Sequence, residues 1–285
     1  MNGHTPGGDQ PPVTTGARDQ GDALLTAQRR LAIAAQVRQY GAVSKDALAR
    51  QYAVTTMTVY RDLKVLEAQG KVQMVRGGAL LPTPEVPYSP HKRLRAAKNK
   101  ADIARLAAEL FVRPDEVIAM EAGTTVMALV PHIAQRGNTV ITNGLETIRE
   151  LAGHHPGGHY LSCGGVLRAA SQTFVGPQAL AFFGQMHSGT LFLGASGYIL
   201  ADGFTDANPL EIQVKRAMMA HCGRAVMLID SSKFNQRSLM TLARPAELFA
   251  VVTDHLADEK VLSELREQGL QVFVAVADAP PTRAL

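Results

Sequence analysis

Cysteine is nearly absent. The chain holds only Cys163 and Cys222, with no C-x-x-C pair, which argues against a disulfide framework or a spaced zinc site. No apolar run approaches the length that spans a bilayer. The opening stretch, MNGHTPGGDQPPVTTGARDQGD, is Gly-, Pro- and polar-rich and lacks the apolar segment of a signal peptide, so residues 1–23 are expected to form a disordered tail. Together these absences point to a cytoplasmic protein without a membrane partner.

Apolar residues are plentiful. At 46% hydrophobic, the 285-residue chain can bury a sizeable core. Its length is about twice that of a typical domain, so two unequal domains are expected. Charge divides the same way. Residues 1–100 hold 15 Lys and Arg against 7 Asp and Glu, a net +8; the remainder holds 14 against 18, a net −4, giving the +4 of the whole. Cations gathered on one small region are an electrostatic footprint of nucleic-acid binding, although a solvated basic face would look the same on charge alone.

Within that region the pattern is short helix, short helix, turn, helix, hairpin. AQRRLAIAAQVRQYG sets Leu31, Ala34 and Ala35, with the stem of Arg38, along one stripe, and Gly41 stops the helix. Ser44 caps a second helix that buries Ala47 and Leu48. Thr55 caps a third, which runs to about Gln69 and ends at Gly70. On this third helix Val59, Leu63 and Leu66 fall at i, i+4, i+7 and face inward. The other side presents Met57, Tyr60, Arg61 and Lys64, with Thr56 and Thr58 in the first turn. KVQMVRGGALL then alternates around Arg76-Gly77-Gly78, as a hairpin with a flexible basic tip does.

This is a winged helix-turn-helix over residues 24–81, and its third helix can enter the major groove of double-stranded operator DNA. Hydroxyls and helix N-termini suit phosphate oxygens, and a basic wing suits the backbone or minor groove. The expected DNA contacts are Ser44, Thr55, Thr56, Met57, Thr58, Tyr60, Arg61, Lys64, Arg76 and Gly77. A small interaction domain is the bland alternative, and the agreement of spacing, charge and wing weighs against it.

Prolines at 82, 84, 87 and 90 mark residues 82–100 as a linker. Beyond it, residues 101–277 alternate short continuous apolar runs (EVIAM, TVIT, HYLS, TLFLG, AVMLID, LFAVVTD, LQVFVAV) with helical segments such as TTVMALVPHIAQ, PLEIQVKRAMMAHC and DEKVLSELREQ. That predicts an open, mostly parallel α/β sheet domain, followed by a tail at 278–285. The fold class is therefore α/β, with an N-terminal winged helix-turn-helix.

Strand after strand ends in small or polar residues: EAGTT, TNG, CGG, GASG and DSSKF. Ligands bind at the carboxyl ends of strands in open parallel sheets. Gly123-Thr124-Thr125 opens directly into a helix and can hold a phosphate through N–H groups and hydroxyls. Lys215 and Lys233 can supply counter-charge, though either could equally be a surface lysine. The expected effector site comprises Gly123, Thr124, Thr125, Asn143, Gly164, Gly165, Gly194, Lys215 and Lys233.

SKDALARQYAVTTMTVYRDLKVLEAQGKVQMVRGGA resembles the helix-turn-helix of DeoR-type bacterial transcriptional regulators. The ordered set GTT, TN, GG, G-x-S-G and D-S-S-K-F resembles the sensor domain of the same family, and the likeness covers about residues 24–255. It implies a sensor domain related to sugar-phosphate isomerases, a phosphorylated sugar effector, and homo-oligomers (dimers or tetramers) that act mainly as repressors of carbohydrate operons. The family's two arginines in the recognition helix are here Tyr60-Arg61, a departure that bears on operator sequence.

The alternative is an isomerase-like enzyme with an appended basic domain. Such relatives use a Gly-Ala-Asp-Glu loop and a glutamate before a lysine; here Gly194-Ala195-Ser196-Gly197 and Val214-Lys215 stand there, offering no base. Asp206 and Glu211 lie near in sequence. Ser196 does not sit in a G-x-S-x-G elbow. His154, His155 and His159 read as an exposed loop rather than a metal site, and Cys163 reads as a small buried residue. No metal, cofactor or catalytic residue is expected.

Overall fold

The structure, a computed structural model, describes residues 16–40, 42–80, 96–133 and 136–276. α1 (Gly16–Tyr40) begins inside the span expected to be a disordered tail. Past Pro12 the chain has no helix breaker stronger than glycine and is rich in Ala, Leu, Arg and Gln, which favour helix. Residues 1–15, the rest of that expected tail, lie outside the described residues, as does the expected tail at 278–285. After β1 (Ala42–Ser44) come α2 (Lys45–Gln51) and α3 (Thr56–Ala68), then the hairpin β2 (Gln73–Val75) and β3 (Gly78–Leu80). The strands pair antiparallel in the order β1-β3-β2.

Local chemistry sets these boundaries. Ser44 Oγ accepts from Ala47 N at 3.5 Å and Thr55 Oγ1 from Thr58 N at 3.1 Å, each satisfying one orphan donor of a helix start. Gly78 is required where β3 crosses β1, because a β-carbon there would stand 1.9 Å from the Val43 carbonyl oxygen.

Val59, Leu63 and Leu66 are buried as their spacing predicts. α1 departs from expectation: its inward residues are Ile33, Ala34 and Val37, whereas Leu31 is 61% exposed and Ala35 faces solvent. Leu31 to Ala35 are five consecutive apolar residues, so periodicity alone does not choose the phase; packing against α3 does. In α2 likewise Leu48 and Ala49 are buried and Ala47 is exposed.

α4 (Ala97–Phe111) starts within the span assigned to the linker. Ile103, Ala104, Ala107, Ala108 and Phe111 form one buried stripe, and the last linker residues continue that helix. Residues 81–95 are outside the described set. Then follow β4 (Val117–Met120), α5 (Thr124–Met127), α6 (Val130–Ile133), β5 (Thr139–Thr142), α7 (Leu145–His154), β6 (His159–Ser162), β7 (Val166–Arg168), β8 (Thr173–Val175), α8 (Pro177–Phe183), β9 (Ser188–Leu193), β10 (Gly197–Ile199), β11 (Gly203–Asp206), α9 (Pro209–Ala220), β12 (Cys222–Leu228), β13 (Met240–Ala243), β14 (Ala250–Asp254), α10 (Glu259–Glu267) and β15 (Gln271–Ala275).

The seven apolar runs are the seven strands of one sheet, ordered β15-β14-β12-β9-β4-β5-β6, with every pairing parallel. Alternate residues serve opposite faces. Ile118, Met120 and Phe192 pack under α4, whereas Ala119, Leu191 and Leu193 join α8 and α9 on the other side. The helix expected over 124–135 is instead two single turns, α5 and α6, with Pro131 in the first turn of the second. A β7–β8 hairpin and an antiparallel sheet β10-β11-β13 were not anticipated.

Asp62 pins α3 to α1. It is 1% exposed and accepts Arg29 Nε at 2.6 Å and Arg30 Nε at 2.7 Å. Asp62→Ala strips two half-buried guanidinium groups of their acceptor and should cost about 3 kcal/mol. Urea unfolding of the full chain measures it; a loss below about 0.5 kcal/mol would show that this pairing does not hold the head together.

Candidate functional site

The helix-turn-helix presents one polar, cationic face. Thr56, Met57, Tyr60, Arg61 and Lys64 are exposed along α3, opposite the buried Val59, Leu63 and Leu66. Lys64 Nζ lies 5.5 Å from the centre of the Tyr60 ring, which pre-positions both. Ser44, Thr55 and Thr58 act first on the fold: two are caps, and the Thr55 and Thr58 hydroxyls sit 2.9 Å apart. Arg76 and Gly77 form the exposed hairpin turn, with Gly77 at φ +92° and its carbonyl accepting from Lys45 N at 2.8 Å.

The second candidate site lies at the carboxyl ends of the central strands. From β4 the chain proceeds outward through β5 to β6, and from β9 outward the other way through β12, β14 and β15. β4 and β9 are therefore adjacent strands with diverging connections, the position where open α/β sheets leave a crevice. A cavity of about 200 Å3 opens there. Gly123, Thr124, Thr125, Gly194, Lys215 and Lys233 of the expected set line it.

Three expected residues do not line the cavity. Asn143 is fully buried behind it, where its Oδ1 accepts from Ala122 N at 3.2 Å and steadies the β4 loop. Gly164 and Gly165 follow β6, the outermost strand, and lie against Gln178 and Ala179. The strand order, which periodicity does not reveal, separates them from the centre.

At the floor, Lys215 is 4% exposed and spends its donors on the protein: Asp206 Oδ2 at 2.6 Å, Gly194 O at 2.9 Å and Glu121 Oε1 at 3.1 Å. Burial alone would lower the lysine pKa, but the Asp206 and Glu121 carboxylates raise it above the ordinary value, and the ammonium stays charged. Burial likewise pushes Glu121 up, against the pull of Lys215. Asp206 ends below the usual carboxylate range: burial opposes ionisation, but Lys215, the Ser196 hydroxyl at 2.5 Å and Ala207 N at 2.9 Å outweigh it. Glu121 Oε2 also accepts from Gly123 N at 2.9 Å and Gly194 N at 3.3 Å, so one carboxylate fixes two loops.

The walls include residues outside the expected set. Ser171, Thr173 and Glu211 line one side, with Glu211 paired to Arg168 at 2.9 Å. Lys100 of α4 lines another; its signal was an ionisable residue on the apolar stripe leading to Ile103. Lys233 ends a turn built by Asp230, which accepts from the hydroxyl and backbone N–H of Ser232, and by Asp254, whose Oδ2 accepts from Ser231 N at 2.7 Å. No ion pair holds Lys233 among the described residues. Away from the cavity, His154, His155 and His159 are exposed, and burial pushes the Cys163 thiol up to about 12.

Lys215→Met would leave Glu121 and Asp206 buried side by side without a cation. Breaking a buried pair this way costs about 3–5 kcal/mol, measurable as a lowered Tm. The pH dependence should also change. In the parent protein the depressed Asp206 pKa gives stability that is lost as pH falls below about 4, the unfolded value, while the raised Glu121 pKa works in the opposite direction above it. In the variant a buried carboxyl titrates higher folded than unfolded, so stability falls as pH rises above about 4. A variant that melts like the parent at every pH would refute this account of the floor.

Comparison with known proteins accords with this geometry. Residues 29–85 match the DeoR-like helix-turn-helix domain and residues 95–255 the DeoR C terminal sensor domain. A protein of Escherichia coli O157:H7, named as a candidate repressor of the aga operon, is 31% identical over 254 residues, covering 87% of this chain and 94% of its own. The HTH-type transcriptional regulator GolR of Listeria innocua is 28% identical, covering 83% and 94%. Among solved structures, ribose 5 phosphate isomerase A from Neisseria gonorrhoeae covers 48% of this chain and 53% of its own at 17% identity and a TM-score of 0.34, too slight a likeness to argue from. With both domain matches in chain order, and relatives alike over nearly their whole length, the chain belongs to the DeoR family and is a DNA-binding transcriptional regulator.

Proposed function

We propose that this regulator represses a carbohydrate-metabolism operon and that a phosphorylated sugar, bound in the switch-point cavity and not turned over, controls its hold on operator DNA. The observation that carries this reading is the make-up of the cavity. Thr124, Thr125 and Lys233 line it together with Ser171, Thr173 and Glu211, over a floor whose charges already answer one another. The first group suits a phosphate and the second suits hydroxyls. α5 is a single turn, so its free N–H groups count for more than any helix dipole. The small volume favours one phosphorylated monosaccharide over a larger ligand.

Turnover by an isomerase-like mechanism would need a free base. Glu121 and Asp206 share Lys215, and Glu211 is held by Arg168, which supports binding without catalysis. A coupled assay with pentose and hexose phosphates should detect no conversion. Among the described residues no helix is long and apolar enough to cross a membrane; a cytoplasmic location follows from action on chromosomal DNA. A single winged helix buries modest surface on DNA, so selecting one operator calls for a homo-oligomer, dimer or tetramer, reading spaced half-sites.

The primary test is thermal shift with inorganic phosphate and a panel of pentose and hexose phosphates, since a specific ligand stabilises the fold by mass action. One compound should raise Tm in the parent and fail to do so in Thr124→Asp, where negative charge costs on the order of several kcal/mol against a phosphate. An unaltered response in that variant would move the phosphate elsewhere. For DNA, Arg61→Ala should lose about 1–3 kcal/mol if its contact is to a base edge. Lys64→Ala should weaken all sequences alike and reduce the salt slope by about one. Full affinity in a folded Arg61→Ala protein would take α3 out of the groove.

A further inference from the structure

The segment Ser171–Pro177 starts in the cavity and ends beneath the wing of the DNA-binding head. Ser171 and Thr173 line the cavity, with their hydroxyls 2.8 Å apart. The same Glu211 that Arg168 holds accepts from Thr173 Oγ1 at 3.4 Å. β8 then runs to the buried Val175, and Gly176, at φ +96°, turns the chain into Pro177 at the start of α8.

The wing rests on this corner. Leu80 of β3 is 2% exposed and belongs to the same apolar cluster as Val175, Ala179 and Phe183 of the sensor domain. A β-carbon on Gly176 would stand 3.0 Å from Leu80 Cδ2, and one on Gly77 would stand 3.8 Å from Pro177 Cβ. The hairpin turn expected to contact DNA is thus also packed against the sensor. A second support lies alongside: α1, which carries the arginines that hold Asp62, lies against α9, which carries Glu211 and Lys215.

We propose that the Val175–Gly176–Pro177 corner is a docking surface for the wing, and that residues 171–177 form a strap through which cavity and wing move together. Only the identity of the cavity's ligand rests on the function proposed above. Packed elements shift between discrete arrangements rather than deform continuously, so a ligand that draws in Ser171 and Thr173 re-seats the wing. By reciprocity, disturbing the wing must reach the cavity wall.

Two variants of the full chain test this. In Gly77→Cys with Pro177→Cys, the 3.8 Å separation is that of a disulfide's β-carbons. Mild oxidation should yield the 77–177 disulfide on peptide mapping. DNA affinity is then measured on a duplex selected from a random library by the reduced protein, with inorganic phosphate, ribose 5-phosphate and fructose 6-phosphate as probes. A probe that raises Tm should shift the DNA Kd of the reduced protein at least fivefold and of the oxidised protein less than twofold.

The left-handed backbone at Gly77 strains any side chain, so Leu80→Ala is the second arm. Hydrogen exchange should rise in 72–80 and 171–183 and stay unchanged in 188–193 of the central strand; general destabilisation would raise all three. Unchanged exchange in 171–183 overturns the strap, as does an oxidised protein that responds like the reduced one. If no probe binds while Leu80→Ala gives the confined pattern, the strap stands and the sugar-phosphate assignment falls.

Discussion

One ammonium group between two buried carboxylates organises the sensor domain. Lys215 comes from α9, Glu121 follows β4, Asp206 ends β11, and the carbonyl it also bonds belongs to Gly194 after β9. Four structural segments, with Glu121 the one remote in sequence, therefore meet at one nitrogen. Without it, two carboxylates in a low-dielectric floor could not both ionise. With it, the crevice that the strand order leaves open gains a rigid base, and Glu121 uses its other oxygen to hold the loops at Gly123 and Gly194. Every carboxylate oxygen of the pair accepts at least one bond from the protein, so the cluster holds the floor together.

The head repeats this logic with the signs exchanged. Two arginines of α1 converge on Asp62, the one acid on the inner side of α3, and so orient the face bearing Tyr60, Arg61 and Lys64. A reading helix needs its exposed cations unspent and its register fixed. Anchoring through a buried anion achieves both, because the exposed positions stay open to solvent while the inner side is held by charge as well as by Val59, Leu63 and Leu66.

Much of this was readable from residue pattern, for identifiable reasons. Strands buried on both faces are continuous apolar runs, and all seven runs became strands of the parallel sheet. The recognition helix was readable because its apolar and cationic residues separate cleanly by phase, whereas α1 was not, with five apolar residues in a row from Leu31 to Ala35. At the cavity, Gly123, Thr124, Thr125 and Gly194 were found because strand ends beside a switch point are small and polar. Gly164 and Gly165 looked identical in sequence, yet sheet order removes them to the edge. Thr173 escaped because a three-residue strand carries too little periodicity, Ser171 because it sits in the turn before that strand, and Lys100 because proline density masked the start of α4. Lys215 was expected to offer its charge to a ligand; only its partners' positions reveal that its hydrogen bonds are already committed.

The scale of coupling a regulator needs is modest. A fivefold to 150-fold change in DNA affinity corresponds to about 1–3 kcal/mol, and fully burying one leucine side chain is worth about 1.5–3 kcal/mol. Leu80 at the Val175–Gly176–Pro177 corner is one such side chain. Head and sensor therefore need no broad shared core to communicate. A broad one would work against regulation, since a ligand would have to outweigh the whole interface to move the head, and one small ligand offers few contacts with which to do so. A small apolar contact such as that of Leu80, beside the packing of α1 on α9, is on the scale of energy that one small ligand can supply.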